Sequence, residues 1–350
     1  MNQRIETYQI EENHSDRNRW EILWKPVLEG AQILRVYGNQ LELKLPDRIE
    51  GYPITEIGAY CFSASERLPK EDCFLTSVTE QCEERIERAT LPSISGSYVE
   101  SVFLPDTVTT IHNAAFYNCR QIQRLSIGKE ILAIGSDVFM NCGKLADISV
   151  RYPVEEASGL FLLLERLITD VEVSFYDLEH GQKHLQTRLF FPEYYEWLDE
   201  ITPAHIFSRS IEGEGYRMRH VFDGRTLDLR KYDQCFAGVL IGESDRNICR
   251  IAMDRLRWPV NLPLEGEFRA SYEKALKERN LTALDLMIAG REVEGLEFLC
   301  RTCSPGKGEL TVWMEKCIAA DWGEGSAYLL EQKHKAGSFA KKEFTFDDFF

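Results

Sequence analysis

The stretch "AAFYNC" (114–119) is followed by "DVFMNC" (137–142), which places Phe116 and Phe139 23 positions apart. The match continues on both sides: Val108 with Ile131, Ile111 with Ile134, Cys119 with Cys142, Ile122 with Leu145, Leu125 with Ile148 and Ile127 with Val150. So many apolar and turn positions in one phase imply a solenoid, each period forming one coil stacked on the last. Within a coil, "RLSI" (124–127) and "DISV" (147–150) alternate polar and apolar residues, as short strands do. Stacking then lines the strands into a parallel sheet, with the phenylalanines filling the opposite side. Asn118 and Asn141 fall at turns, where their side chains can bond local backbone.

The period extends outward from this pair. "VESVFLP" sets Val99, Val102 and Leu104 in phase with Ile122, Leu125 and Ile127, and "ITDVEV" sets Ile168, Val171 and Val173 in phase with Leu145, Ile148 and Val150. In that last unit "GLFLLLERL" (159–167) replaces the Phe-x-Asn-Cys turn and reads as helical. An N-terminal unit reads "LELKLP" (41–46) and "YPITEIGAYCF" (52–62), separated from the others by an insertion at 63–98. Together with the lead-in "LEGAQILRVYG" (28–38), these units resemble the BspA-like type of leucine-rich repeat over about residues 28–175. The resemblance implies a non-enzymatic bacterial solenoid that binds proteins or other macromolecules, often at cell surfaces.

The expected fold is α+β: a short leucine-rich-repeat solenoid with its cap and insertion over 1–175, a hairpin and mixed linker region over 176–265, and α-helical hairpins over 266–350. "FYDLEHGQKHLQTRLFF" reads as two strands around a polar turn at His180–Gly181, and "PEYYEWLDEI" (192–201) as a helix. In the last region Ile288, Ala289, Glu294, Gly295 and Leu299 recur 30 positions later as Ile318, Ala319, Glu324, Gly325 and Leu329. This echo is weakly similar to ankyrin-type helical hairpins; a small bundle with a chance repeat is the other reading.

Composition narrows the function classes. A net charge of −16 and a pI near 5.0 argue against a general nucleic-acid binder, which needs clustered Lys and Arg. No apolar run resembles a signal peptide or a membrane span. The ten cysteines without a secretion signal suggest reduced thiols and a cytoplasmic setting. Cys300-x-x-Cys303 lacks the second pair a zinc site needs and the βαβ setting of a redox motif, so it reads as helix packing. Cys119 and Cys142 read as a buried thiol ladder, and His180 and His184 as solvated. His205, His220, Asp233 and Cys235 supply catalytic residue types with no local signature. No cofactor motif occurs.

Alternation names a candidate surface. With Leu125 and Ile127 inward, the outward set is Glu42 and Lys44, Ser101 and Phe103, Arg124 and Ser126, Asp147 and Ser149, then Asp170 and Glu172. Phe103 is the one large apolar member, and aromatics beside Arg are favoured anchors at interfaces. The face is either open or covered by the insertion, the hairpin or the second half. The expectation is non-catalytic, intracellular recognition of a protein partner. Two alternatives are a hydrolase-type enzyme in 192–265 that uses the solenoid for targeting, and a surface adhesin exported without a classical signal.

Overall fold

The computed structural model describes residues 19–65, 72–79, 82–179, 182–201, 206–260, 264 and 266–338. The chain divides into two compact units. The first runs to Val171 and takes in the strand segment from Tyr176 and the piece Asp223–Leu227; the second takes Glu172–Phe175, Gln182–Phe222 and the chain from Asp228 onward.

The first unit opens with the antiparallel pair β1 (Trp20–Val27) and β2 (Gly30–Tyr37), followed by β3 (Glu42–Lys44), β4 (Arg48–Ile49) and β5 (Tyr52–Ile57). The insertion contributes β6 (Phe74–Val78) and β7 (Glu83–Arg85), which extend the β1 edge as antiparallel strands. Glu50 ties it down: its carboxylate accepts from Thr76 Oγ1 at 2.7 Å and from both Nε and Nη2 of Arg85, the closer at 2.6 Å. The coils proper follow as β8 (Ser101–Phe103), β9 (Thr110–Ile111), β10 (Arg124–Ile127), β11 (Ala133–Ile134) and β12 (Asp147–Val150).

Two parallel ladders run along the solenoid. β3, β8, β10 and β12 form one, and β2, β5, β9 and β11 form the other. Their inward side chains make one core: Leu43, Val102, Leu125, Ile127, Ile148 and Val150 face Ile57 and Ile111, all buried. Burying each such side chain contributes roughly 1.5–3 kcal/mol.

The third side of each coil explains the repeated motif. Phe62, Phe116 and Phe139 stack with centroids 4.8 and 5.5 Å apart and planes 22° and 24° from parallel. The chain turns around each ring through left-handed residues: Ala114 and Asn118 at φ 55° and 61°, Asp137 and Asn141 at 55° and 64°. Asn tolerates that region better than most residues, and Asn141 Nδ2 donates to Asn118 Oδ1 of the preceding coil at 2.7 Å. The cysteine thiols donate to the previous coil's phenylalanine carbonyl, Cys119 to Phe62 at 3.2 Å and Cys142 to Phe116 at 3.0 Å. Backbone bonds repeat in step, from Ala114, Phe116 and Asn118 N–H to the carbonyls of Ser136, Val138 and Met140. After β12 the signature turn gives way to the short helix α1 (Leu160–Leu164), as the apolar run at 159–167 implies.

The second unit holds part of β13 (Val171–Glu179), then β14 (Gln182–Phe191), an antiparallel pair β15 (Tyr195–Ile201) and β16 (Ile206–Glu212), and the short helix α2 (Gly215–Met218). A strand, β15, therefore occupies most of the stretch expected to be helical at 192–201, and the turn at His180–Gly181 lies outside the described residues. A two-strand hairpin, β17 (Phe222–Asp223) and β18 (Thr226–Leu227), precedes the helices. Helices begin earlier than the pattern implied, with α3 (Leu229–Gly242) and α4 (Asp245–Arg257), and continue as α5 (Gly266–Glu278), α6 (Asn280–Gly290), α7 (Val293–Cys303), α8 (Lys307–Ala319) and α9 (Gly323–Ser338).

The 30-residue echo corresponds to a repeated turn. Arg291 and Asp321 are both left-handed (φ 53° and 51°), and Glu292 N–H to Met287 O recurs as Trp322 N–H to Cys317 O. Both are Schellman closures of a helix end. Gly295 and Gly325 recur because a Cβ there would sit 2.2 Å from Met287 Sδ and 2.4 Å from Trp322 Cε3. Helices pack on their next-but-one neighbours (α4 on α6, α5 on α7, α6 on α8, α7 on α9), so the hairpins stack.

Removing the central ring tests this account of the solenoid. Phe116→Ala should cost about 3–5 kcal/mol in urea unfolding. Asn118→Val, a β-branched residue in the left-handed region, should cost about 1–2 kcal/mol more than Asn118→Gly, which tolerates that φ.

Candidate functional site

Strand register arranges the outward residues in two rows. One runs Glu42, Ser101, Arg124, Asp147, and the other Lys44, Phe103, Ser126, Ser149. Glu42, Lys44, Arg124 and Asp147 are exposed, while Phe103 and Ser149 are partly so. Ser101 and Ser126 lie beneath arginines: Arg124 Nε donates to Ser101 Oγ at 2.9 Å, and Arg151 Nη1 to Ser126 Oγ at 2.5 Å. Arg124 also reaches across to Glu42 at 2.6 Å. More than half of each of these two side chains is exposed, so the pair adds about 0–1 kcal/mol. The inward residues hold the fold, and the outward row is largely free of that task.

Arg151, just beyond β12, escaped the alternation argument because it follows the strand. Its Nε donates to Asp106 Oδ1 at 2.9 Å and its Nη2 to Leu104 O, so it closes the strand ends over the face. The only sequence signal is a cation one position after a strand. Next to it lies a cavity of about 320 Å³ whose charged lining is Asp106, Lys129, Glu130, Arg151, Glu156 and Asp177. Lys129 pairs with Glu156 at 2.5 Å, and that carboxylate raises the lysine's pKa. Arg151 pairs with Asp106, whereas Glu130 and Asp177 form no ion pair with a described residue. The end of the face is therefore acidic and suits a basic group.

The last two candidates differ from the rest. Asp170 is exposed and precedes β13. Glu172 belongs to the second unit, where Arg188 Nε lies 3.1 Å and Arg250 Nη2 2.7 Å from its carboxylate.

Among the described residues the catalytic residue types are not brought together. His205 lies outside the described residues. The His220 ring packs on Tyr216 at 4.2 Å, with Nδ1 2.7 Å from Tyr216 O. The buried Asp233 takes both arms of Arg255, at 2.8 and 2.9 Å, and the Tyr272 hydroxyl at 2.8 Å. Cys235 is half-buried, and burial pushes its thiol up, away from thiolate character. Among the described residues no hydrogen bond joins these three side chains. Cys300 and Cys303 are likewise pushed up by burial, to about 12 and about 11, as packed thiols are. For Cys119 the neighbouring Cys142 thiol, together with burial, raises the pKa. Among the described residues no helix is long and apolar enough to cross a membrane.

Residues 55–162 match the family model described as the BspA type leucine rich repeat region, in six copies. The solenoid is thus built from BspA-type leucine-rich repeats, a class that suggests a protein-interaction module and is typically non-catalytic. No curated protein and no solved structure matches the chain.

The buried group at Asp233 separates structure from chemistry. Asp233→Ala leaves the Arg255 charge buried and unpaired, and should lower unfolding stability by about 3–5 kcal/mol. His220→Ala, at an exposed site, should change it by less than about 1 kcal/mol.

Proposed function

We propose that this chain is a non-catalytic recognition module whose solenoid sheet face binds a protein partner carrying basic groups. The observation that supports this most strongly is the register of the outward row. Glu42, Arg124 and Asp147 stand side by side on a rigid parallel sheet, with Phe103 partly exposed in the next row. Because the coil core is set by inward residues, outward ones can carry specificity without cost to the fold. The acidic cavity at the strand ends, where Glu130 and Asp177 lack ion-pair partners among the described residues, supports a Lys or Arg side chain as part of the ligand. The net charge of −16 favours the same class of partner through long-range attraction. A bacterial cytoplasm suits the ten free thiols, and the reading requires no cofactor, nucleic acid or membrane.

The test compares wild type with a Phe103→Lys, Asp147→Lys double variant that retains its circular dichroism spectrum. In affinity enrichment from the native lysate, the variant should lose at least about tenfold of a basic partner that the wild type retains, the scale of one interface anchor. Equal recovery by both proteins contradicts the assignment of the sheet face.

A further inference from the structure

The segment "DRNICRIAMDRLR" (245–257) forms α4, capped by Ser244, whose hydroxyl accepts from Asn247 N–H at 3.2 Å. Spacings of four, four and three place Arg246, Arg250, Asp254 and Arg257 along one side of the helix. That side borders a cavity of about 290 Å³ within the second unit, completed by Glu172 on β13, Arg188 on β14 and Glu292 after α6.

Most of these charges are paired. Glu172 takes Arg188 and Arg250; Glu292 takes Arg257 at 2.6 Å and lies 3.9 Å from Arg188. Aromatic faces hold the guanidinium planes in place, with Arg188 and Arg257 over Trp258 at 4.7 and 4.4 Å and Arg250 over Phe190 at 4.2 Å. Two groups remain outside this network. Arg246 is exposed and forms no ion pair with a described residue. Asp254 is 4% exposed, and its Oδ2 has no hydrogen-bond partner among the described residues although it lines the cavity. A network that only fastened α4 to β14 would account for Arg188, Arg250 and Arg257. It accounts for neither Arg246 nor a buried carboxyl left unsatisfied, a feature that ordinarily destabilises a fold.

We propose that this cavity binds a phosphate-type oxyanion, held by Arg246 together with the free edges of Arg188 and Arg250 and by a hydrogen bond donated from the neutral carboxyl of Asp254. Burial first, and then the Glu172 charge, raise the pKa of Asp254 to about 8, against the opposing pull of Arg188, Arg250 and Arg257. The phenol of Tyr232, on α3, also faces it and is committed to Phe190 O. With Asp254 neutral, four arginines face two glutamates, a surplus of two positive charges that matches a dianion. Such a surplus stands out in a chain of net charge −16. Arginine forks are the side chains best suited to phosphate oxygens.

The sign of the pH dependence follows. Below about pH 8 the carboxyl donates; above it, the carboxylate repels the anion. Sulfate keeps one charge state across this range and so isolates the protein's titration. Calorimetric titration of the full chain should show one saturable sulfate site, weakened about tenfold between about pH 7 and about pH 9. Arg246→Gln, at an exposed unpaired position, should weaken sulfate binding about tenfold at about pH 7. Asp254→Asn keeps the shape and a donor, so it should bind at about pH 7 and lose the pH dependence. Inorganic phosphate and phosphoserine form the second arm: tighter binding of phosphoserine assigns the site to a phosphorylated organic group, and equal binding to the free anion. The proposal is overturned by no saturable binding in wild type, by equal binding in Arg246→Gln, or by unchanged pH dependence in Asp254→Asn.

Discussion

The contact on which the solenoid depends is the one between successive turns at the phenylalanine side of the coil. Each ring stacks on its predecessor, and each following cysteine donates to its predecessor's carbonyl. That geometry requires two left-handed residues per coil, which is why Asn recurs and why the motif varies so little between 114–119 and 137–142. A coil that changed cross-section would lose the stack, the thiol bond and the backbone bonds to its neighbour together. Hence the inward and turn residues repeat while the outward ones do not.

This separation frees the sheet face from the task of holding the fold. Its exposed ion pairs contribute little to stability, so their arrangement is not set by folding. The helical repeat in the second unit follows the same logic with different means. Its recurring glycines make room for a packed side chain, its Schellman turns recur with the period, and Arg291 donates to the carbonyls of Ala320 and Asp321 in the next turn. In both repeats the recurring phase belongs to packing.

Much of this could be read before the coordinates because the period is strict. The coil phase, the inward residues and the helical substitution at 159–167 all follow from spacing. Other features depend on contacts distant in sequence. In "PEYYEWLDEI" Tyr194, Leu198 and Ile201 have helical spacing, yet the stretch from Tyr195 pairs as a strand with 206–212. The period misled because tertiary pairing outweighed it. Leu229, Tyr232, Phe236 and Val239 have helical spacing, but the turn residues around them led this stretch to be read as part of the mixed region. Arg151 gained its place on the sheet face from Asp106 and Ser126, 45 and 25 positions earlier. The arginines of α4 stand at helical spacing; that one of them, Arg250, pairs with Glu172 78 positions earlier is a contact alternation cannot show.

Amide hydrogen exchange resolved by NMR tests the coil-to-coil ladder most directly. Ala114, Phe116 and Asn118 donate to the next coil, whereas their counterparts Asp137, Phe139 and Asn141 have no backbone acceptor among the described residues. The account predicts slow exchange at the first three amides and fast exchange at the last three, despite nearly identical local sequence. Equal protection in both sets would contradict it, since local turn geometry, not stacking, would then be what the repeated motif encodes.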